Sequence, residues 1–128
     1  MRTDYAERAR ALVGTRFRPQ GRGEHGLDCI GLVMAVFEIP MDAAPRDYRL
    51  RSGRGDELQA GLARHFRKVR KVEAGDVLLL EVASDQPHLA VRTSAGFVHA
   101  HAGIGRVVET PGLPEWPLLG AYRKRKGG

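Results

Sequence analysis

Apolar residues recur at helical spacing near the start of the chain, at Tyr5, Ala6, Ala9, Leu12 and Val13. This pattern predicts an amphipathic surface helix that Thr3 or Asp4 caps and that Gly14 ends. The next stretch, residues 15–26, is rich in glycine and arginine and contains a proline. It therefore predicts a loop that arches over the segment that follows.

Residues 29–38 are apolar nearly all round, which predicts a buried helix at the centre of the molecule. Asp28 is the natural N-cap of this helix, and Pro40 lies just beyond its end. Residues 41–55 hold glycines, a proline and mixed charges, and they predict irregular structure. Helical spacing resumes over residues 56–69 and predicts a third helix whose basic residues face solvent.

The second half of the chain alternates short apolar runs with turn residues. A turn at residues 73–76 leads into residues 77–82, whose continuous apolar run predicts a strand buried on both faces. Four further short strands are predicted, at 89–92, 97–101, 106–110 and 119–123. Helices followed by a meander of strands predict an α+β domain, in which the N-terminal helices pack against an antiparallel β-sheet. The length suits a single domain over residues 1–128 that ends in a basic tail at residues 123–128.

Cys29 is the only cysteine, and it lies where a turn leads directly into the predicted central helix. A thiol in the first turn of a helix faces unpaired backbone N–H groups and the positive end of the helix dipole, which favour the reactive thiolate. The position therefore makes Cys29 a candidate nucleophile. The alternative interpretation is a small hydrophobic residue of the core.

A cysteine nucleophile needs a general base, and the base needs a partner that orients it. If Ser94 and Ala95 form a two-residue turn, His88 lies across from His101, and both share one face of the sheet with His99. A three-residue turn would instead put His88 and His99 on opposite faces. The three histidines are thus conditional candidates for a base and its partner.

Two other uses of these histidines remain open. His99 and His101 alternate along a predicted strand, as two zinc ligands on one face would. A zinc hydrolase, however, would give no role to a cysteine at a helix start. A purely structural role for the histidines is the other alternative.

Charge and composition narrow the possible partners. The net charge of +6 and the basic stretches at residues 64–71 and 123–126 suggest an anionic partner. Acidic residues are interleaved, however, and no zinc-finger spacing, aromatic run or helix-turn-helix pattern is present, so we expect no specific nucleic acid. Cell-wall polymer fits the charge equally well. No apolar stretch of signal-peptide or membrane-spanning type is found, which predicts synthesis in the cytoplasm without a signal peptide and no membrane insertion.

Four short motifs occur in a specific order: Asp-Cys-Ile-Gly-Leu-Val at 28–33, Gly-Asp-Val at 75–77, His-Leu-Ala-Val at 88–91 and Phe-Val-His-Ala at 97–100. Together they resemble the NlpC-type cysteine endopeptidases, compact papain-like enzymes that cleave peptidoglycan stem peptides. The resemblance covers nearly the whole chain, from about residue 9 to residue 122.

The resemblance implies a papain-like fold and assigns roles to individual residues. Cys29 would be the nucleophile, His88 the general base and His99 the residue that orients it, with His101 as the alternative orienting residue. Phe17, Asp28 and His101 would support the substrate or the oxyanion. No metal and no cofactor are implied, and the bond cleaved would join D-γ-glutamate to diaminopimelate.

Further details resemble the branch encoded by tailed phages and gene transfer agents: residues 17–22, 99–101, 107–109 and 116–123. This branch implies assembly into a phage-like tail with other tail-tip or baseplate proteins. The particle would carry the enzyme to the periplasm or cell wall, where it opens a passage for DNA.

The chain departs from the family pattern at two positions. Phe17 replaces a tyrosine whose hydroxyl supports the oxyanion in many relatives, and loss of such a donor costs about 10²–10³ in rate. Ile30 replaces the serine that follows the cysteine. Two alternative functions stay open: a structural tail-tip component that is weakly active or inactive, and acyl transfer or amidase action on another substrate. Trp116 and Tyr122 line the cleft in one interpretation and anchor the chain end to the core in the other.

Overall fold

A mixed helical and antiparallel β architecture is found in this computed structural model, which describes residues 4–18, 22–23, 26–39, 61–83 and 86–125. The predicted α+β class is therefore confirmed. The elements in chain order are α1 (Tyr5–Ala11), β1 (Arg22–Gly23), β2 (Gly26–Leu27), α2 (Cys29–Phe37), β3 (Phe66–Val69), β4 (Val77–Ala83), β5 (Gln86–Arg92), β6 (Gly96–His101), β7 (Arg106–Pro111) and β8 (Leu118–Lys124). In the described part of the chain, no helix has the length and apolar character needed to cross a membrane.

Both predicted helix starts are confirmed by their caps. The Asp4 carboxylate accepts a hydrogen bond from the Glu7 backbone N–H at 3.1 Å, and the Asp28 carboxylate accepts one from Gly31 N–H at 2.7 Å. The second helix ends at Phe37, before Pro40, because Glu38 adopts the left-handed conformation with a φ of 56°.

Strands β3 to β8 form one six-stranded sheet in the order β3-β8-β4-β5-β6-β7, and every pairing in it is antiparallel. The four residues 77–80 of β4 are all buried, so the prediction of a strand covered on both faces is confirmed. Strand β4 lies inside the sheet, between β8 and β5.

Two hydrophobic clusters cover the two faces of this sheet. We call the first side the helix face: its strand residues pack in one cluster with α2, and they include Val77, Leu79, Leu89, Val91, Val98, Ala100 and Val107. We call the other side the distal face: its buried residues are Leu78, Leu80, Ala90, Phe97 and Ala121. Successive side chains of a strand point to opposite faces. A residue that is next to a member of one cluster therefore points to the other face.

The turn between β5 and β6 has the geometry that brings the histidines together. Thr93 N–H donates to the Gly96 carbonyl at 2.9 Å, which closes a two-residue turn over Ser94 and Ala95. The strands pair with Val91 opposite Val98. Both the two-residue turn and the register expected from it are confirmed.

The predicted third helix over residues 56–69 is wrong in its last part. Residues 61–65 are helical, but Phe66–Val69 forms strand β3, which pairs with β8. This segment forms its backbone hydrogen bonds with β8, and Phe66 is buried in the core. These two interactions outweigh the helical spacing of the apolar residues in the segment. The rest of that predicted helix, and the irregular segment at 41–55, lie outside the described residues.

The predicted loop at 15–26 is partly wrong as well. Strands β1 and β2 pair within it as a short antiparallel ladder. Phe17 also forms a bridge to Leu27, and Arg16 forms one to Arg106 of β7. The segment before α2 is thus held by backbone pairing on two sides.

The turn at residues 73–76 is confirmed and is fixed by the buried carboxylate of Asp76. This carboxylate accepts hydrogen bonds from Glu73 N–H at 2.8 Å and from two guanidinium nitrogens of Arg123 at 2.8 and 2.9 Å. Strand β8 includes Arg123 and Lys124. The first two residues of the predicted basic tail are thus part of the sheet.

Gly96 of β6 lies tightly against the backbone of Thr110 on β7, and a methyl group has no space there. A Cβ at this position would be 1.8 Å from the carbonyl oxygen of Thr110. We expect Gly96→Ala to lower the free energy of unfolding by about 2–3 kcal/mol, because the strands must separate to admit it. Chemical denaturation measures this change.

Gly61→Ala is the matched control for that experiment. A Cβ at Gly61 meets nothing within 4 Å, and the residue is helical. The control should be neutral or stabilising by up to about 1 kcal/mol. Equal stabilities of the two variants would contradict the close approach of β6 and β7.

Candidate active site

Three histidines gather on the distal face, as the two-residue turn predicts. His88 is opposite Leu80 of β4 and therefore shares that residue's face. The ring centroids of His88 and His99 are 5.2 Å apart, and those of His99 and His101 are 5.5 Å apart. The structure thus brings the predicted base together with both candidates for the orienting residue.

Hydrogen bonds join two of the three rings in a chain. His88 Nε2 lies 3.0 Å from His99 Nδ1, and His99 Nε2 lies 3.1 Å from Thr110 Oγ1 on β7. His101 is held differently, because its Nδ1 accepts a hydrogen bond from Ile104 N–H at 3.0 Å. The geometry therefore favours His99 over His101 as the residue that orients His88.

Aromatic side chains pack around the linked pair. The Trp116 ring centroid lies 6.0 Å from that of His88 and 5.8 Å from that of His99. Phe97 contacts His99 from the same strand, with centroids 4.8 Å apart. Trp116 thus packs beside the histidines, whereas Tyr122 is buried in the core of the helix face.

Burial keeps both linked histidines uncharged at neutral pH. Burial, followed by the like charges of His99 and His101, lowers the pKa of His88 to about 3. Burial, followed by the charge of His101, lowers the pKa of His99 to about 4. His99 as a whole residue has a relative exposure of 2%. Each neutral ring has one donor and one acceptor nitrogen, so the pair can form a directed hydrogen bond.

Cys29 occupies the first position of α2, as predicted, and its relative exposure is 2%. Backbone pairing places it there. Leu27 N–H donates to the Arg16 carbonyl at 3.0 Å, and Gly26 has a φ of 140° with only 2.9 Å between a would-be Cβ and the same carbonyl. A glycine is required at this turn because any side chain would push the segment away.

Cys29 packs in the hydrophobic cluster of the helix face, together with Leu89 of β5. His88 is the residue before Leu89, so its side chain projects from the distal face. The backbone of β5 thus directs Leu89 towards the helix face and His88 towards the distal face.

The other predicted site residues lie near one of these two groups. Phe17 is half-buried against the cluster that contains Cys29. The Asp28 carboxylate is engaged by the N–H of Gly31 and acts as a helix cap.

Sequence reasoning missed Thr110. The signal in the sequence was that Thr110 lies on the strand that follows the histidines. Its place beside His99 depends on the register between β6 and β7, which puts Thr110 opposite Phe97.

The described residues contain no group of three histidine, cysteine, aspartate or glutamate side chains arranged to hold a metal ion. In addition, the facing nitrogens of His88 and His99 are engaged with each other. A shared metal ion would have to break this hydrogen bond.

In comparisons with known proteins, no family model and no curated protein matches this chain.

The lowered pKa values of His88 and His99 predict a pH-dependent stability. Because both lie below the ordinary value of 6.5, the unfolded chain binds more protons than the folded chain between pH 6.5 and about 4. The free energy of unfolding should therefore be highest above pH 6.5 and should decrease as the pH falls towards 4. Urea unfolding across this range measures the slope.

Two variants identify the source of this slope. A double variant with His88→Asn and His99→Asn should show a shallower decrease than the wild type. The control His65→Asn, which removes a histidine outside the cluster, should keep the wild-type slope. A wild-type slope in the double variant would show that the two rings do not carry the effect.

Proposed function

We propose that this protein is a papain-like cysteine hydrolase of the NlpC type that cleaves peptidoglycan stem peptides and is carried to the cell wall by a phage-like tail. The observation that carries the proposal is the 3.0 Å hydrogen bond between His88 Nε2 and His99 Nδ1. A general base needs a neighbour that fixes its ring, and this pair has that arrangement. The same two residues are the ones that the sequence motifs select.

The arrangement assigns each nitrogen of His88 a role. Since Nε2 is engaged with His99, Nδ1 is the atom that accepts the proton of Cys29. The thiolate attacks a stem-peptide carbonyl carbon, and the backbone N–H of Cys29 stabilises the resulting oxyanion. The His88 imidazolium returns its proton to the leaving amine, and water then hydrolyses the thioester.

The proposal is supported by the packing of the helix that carries Cys29 against the strands that carry the two histidines. Helix α2 packs against β5 and β6, the strands that carry His88 and His99. His88 lies near the start of β5, close to the end of the sheet. The mechanism requires that the thiol of Cys29 meet Nδ1 of His88 around this end of the strand.

A structural tail-tip component without catalytic activity is the second candidate. It is favoured by the burial of Cys29, which has a relative exposure of 2%, in the hydrophobic cluster of the helix face. In this function the fold would serve assembly, and the histidines and Trp116 would form part of the packing of the distal face. The two candidates differ in one measurable property, which is turnover.

Digestion of purified diaminopimelate-type peptidoglycan tests the proposal. We expect the wild type to release new stem-peptide fragments, identified by mass spectrometry, and Cys29→Ala to release none. His88→Ala should lower the rate by about 10²–10⁴, the usual contribution of a general base. His99→Ala should lose most turnover and His101→Ala should keep it, while His65→Ala serves as a matched histidine control.

The digestion separates the candidate functions. The proposed bond is identified by fragments that end in D-glutamate on one side and begin with diaminopimelate on the other. A folded wild type that releases no fragment would contradict the proposal and favour the structural component. Activity that survives Cys29→Ala would exclude the thiol mechanism.

A further inference from the structure

Thr110 lies at the end of the hydrogen-bond chain that begins at His88. Its Oγ1 atom is 3.1 Å from His99 Nε2, on the side of the ring opposite the bond to His88. The side chain comes from β7, which pairs with β6 along its length. None of the roles assigned above uses this hydroxyl.

Two arrangements of protons satisfy this chain when both rings are neutral. In the first, His88 and His99 each carry the proton on Nε2, so that His88 donates to His99 and His99 donates to Thr110. In the second, both rings carry the proton on Nδ1, and the hydroxyl of Thr110 donates to His99 Nε2. A threonine hydroxyl can both donate and accept, so either arrangement forms a hydrogen bond at every step.

Only the first arrangement leaves a lone pair on Nδ1 of His88. In the second arrangement that nitrogen carries a proton and cannot accept one from a thiol. The first arrangement also needs no rearrangement when His88 becomes an imidazolium, because its Nε2 proton already points at the acceptor nitrogen of His99. Catalysis therefore depends on which arrangement is populated.

We propose that Thr110 is a positioning residue: its hydroxyl oxygen, with two lone pairs and only one hydrogen, accepts a hydrogen bond from His99 Nε2 more readily than it donates one, and so favours the first arrangement of protons on both rings. This inference rests on the proposed function for its catalytic meaning. The proton positions themselves can be measured whether or not the protein is an enzyme. The residue acts through His99 and does not touch the reacting atoms.

Long-range ¹⁵N–¹H correlation spectra of the folded protein at neutral pH report which ring nitrogen of each histidine is protonated. We expect Nε2 protonation at both His88 and His99 in the wild type. Thr110→Val removes the hydroxyl at similar size and should give mixed protonation, whereas Thr110→Ser should keep the wild-type pattern. His101, held by Ile104 N–H, should be unchanged in both variants.

Turnover of peptidoglycan supplies the second readout. Thr110→Val should lower kcat about three- to tenfold with little change in KM, which corresponds to the loss of one neutral hydrogen bond. Thr110→Ser should restore kcat. Thermal unfolding of each variant checks that the loss does not come from a less stable sheet.

Two outcomes would overturn the inference: Nδ1 protonation of His99 in the wild type, or an unchanged pattern in Thr110→Val. An inactive wild type whose proton positions still respond to Thr110→Val and not to Thr110→Ser would leave the positioning role intact. That result would refute the proposed function alone.

Discussion

The register between β5 and β6 is the constraint on which the histidine cluster depends. A slip of one residue would turn His88 and His99 to opposite faces of the sheet and remove their hydrogen bond. The turn is fixed by the hydroxyl of Thr93, which accepts from Gly96 N–H at 2.9 Å and donates to Glu109 at 2.7 Å. Glu109 is also bound at 2.9 Å by Arg10 of α1. These hydrogen bonds lower the pKa of Glu109, the one from Thr93 contributing most. The carboxylate therefore stays charged and keeps the first helix tied to the turn.

The same alternation that unites the histidines directs their neighbours to the other side. Leu89 and Val91 pack under α2, and Cys29 lies in that cluster. The two halves of the proposed chemistry are thus built by different elements: a capped helix start supplies the thiol, and a strand pair supplies the base with its partner. A cysteine hydrolase needs both halves at one carbonyl, so the end of β5 is where the proposed site must be completed.

Local rules were sufficient for much of this structure. The carboxylate of Asp28 capping α2, the buried strand β4 and the two-residue turn after β5 each follow from a few adjacent residues, and each was predictable. The histidine cluster followed as well, because its geometry depends on one turn length. Strand β3 was not predictable, since Phe66 and Val69 suit a helix as well as a strand, and the choice is made by pairing with β8, more than fifty residues later in the chain. The packing of Cys29 in the apolar cluster was also beyond the motif, which records the order of residues and not their contacts.

The pairing of Cys29 with His88 can be measured through the alkylation of Cys29 by iodoacetamide, with the rate followed as a function of pH in the wild type and in His88→Ala. If His88 activates the thiol, the wild type reacts well below pH 8, and His88→Ala moves the reaction to higher pH. The sole cysteine makes the measurement unambiguous, because every alkylated molecule is modified at residue 29. A thiol that is inert in the folded wild type, or that reacts identically in both proteins, would contradict the claim that Cys29 and His88 act as a pair.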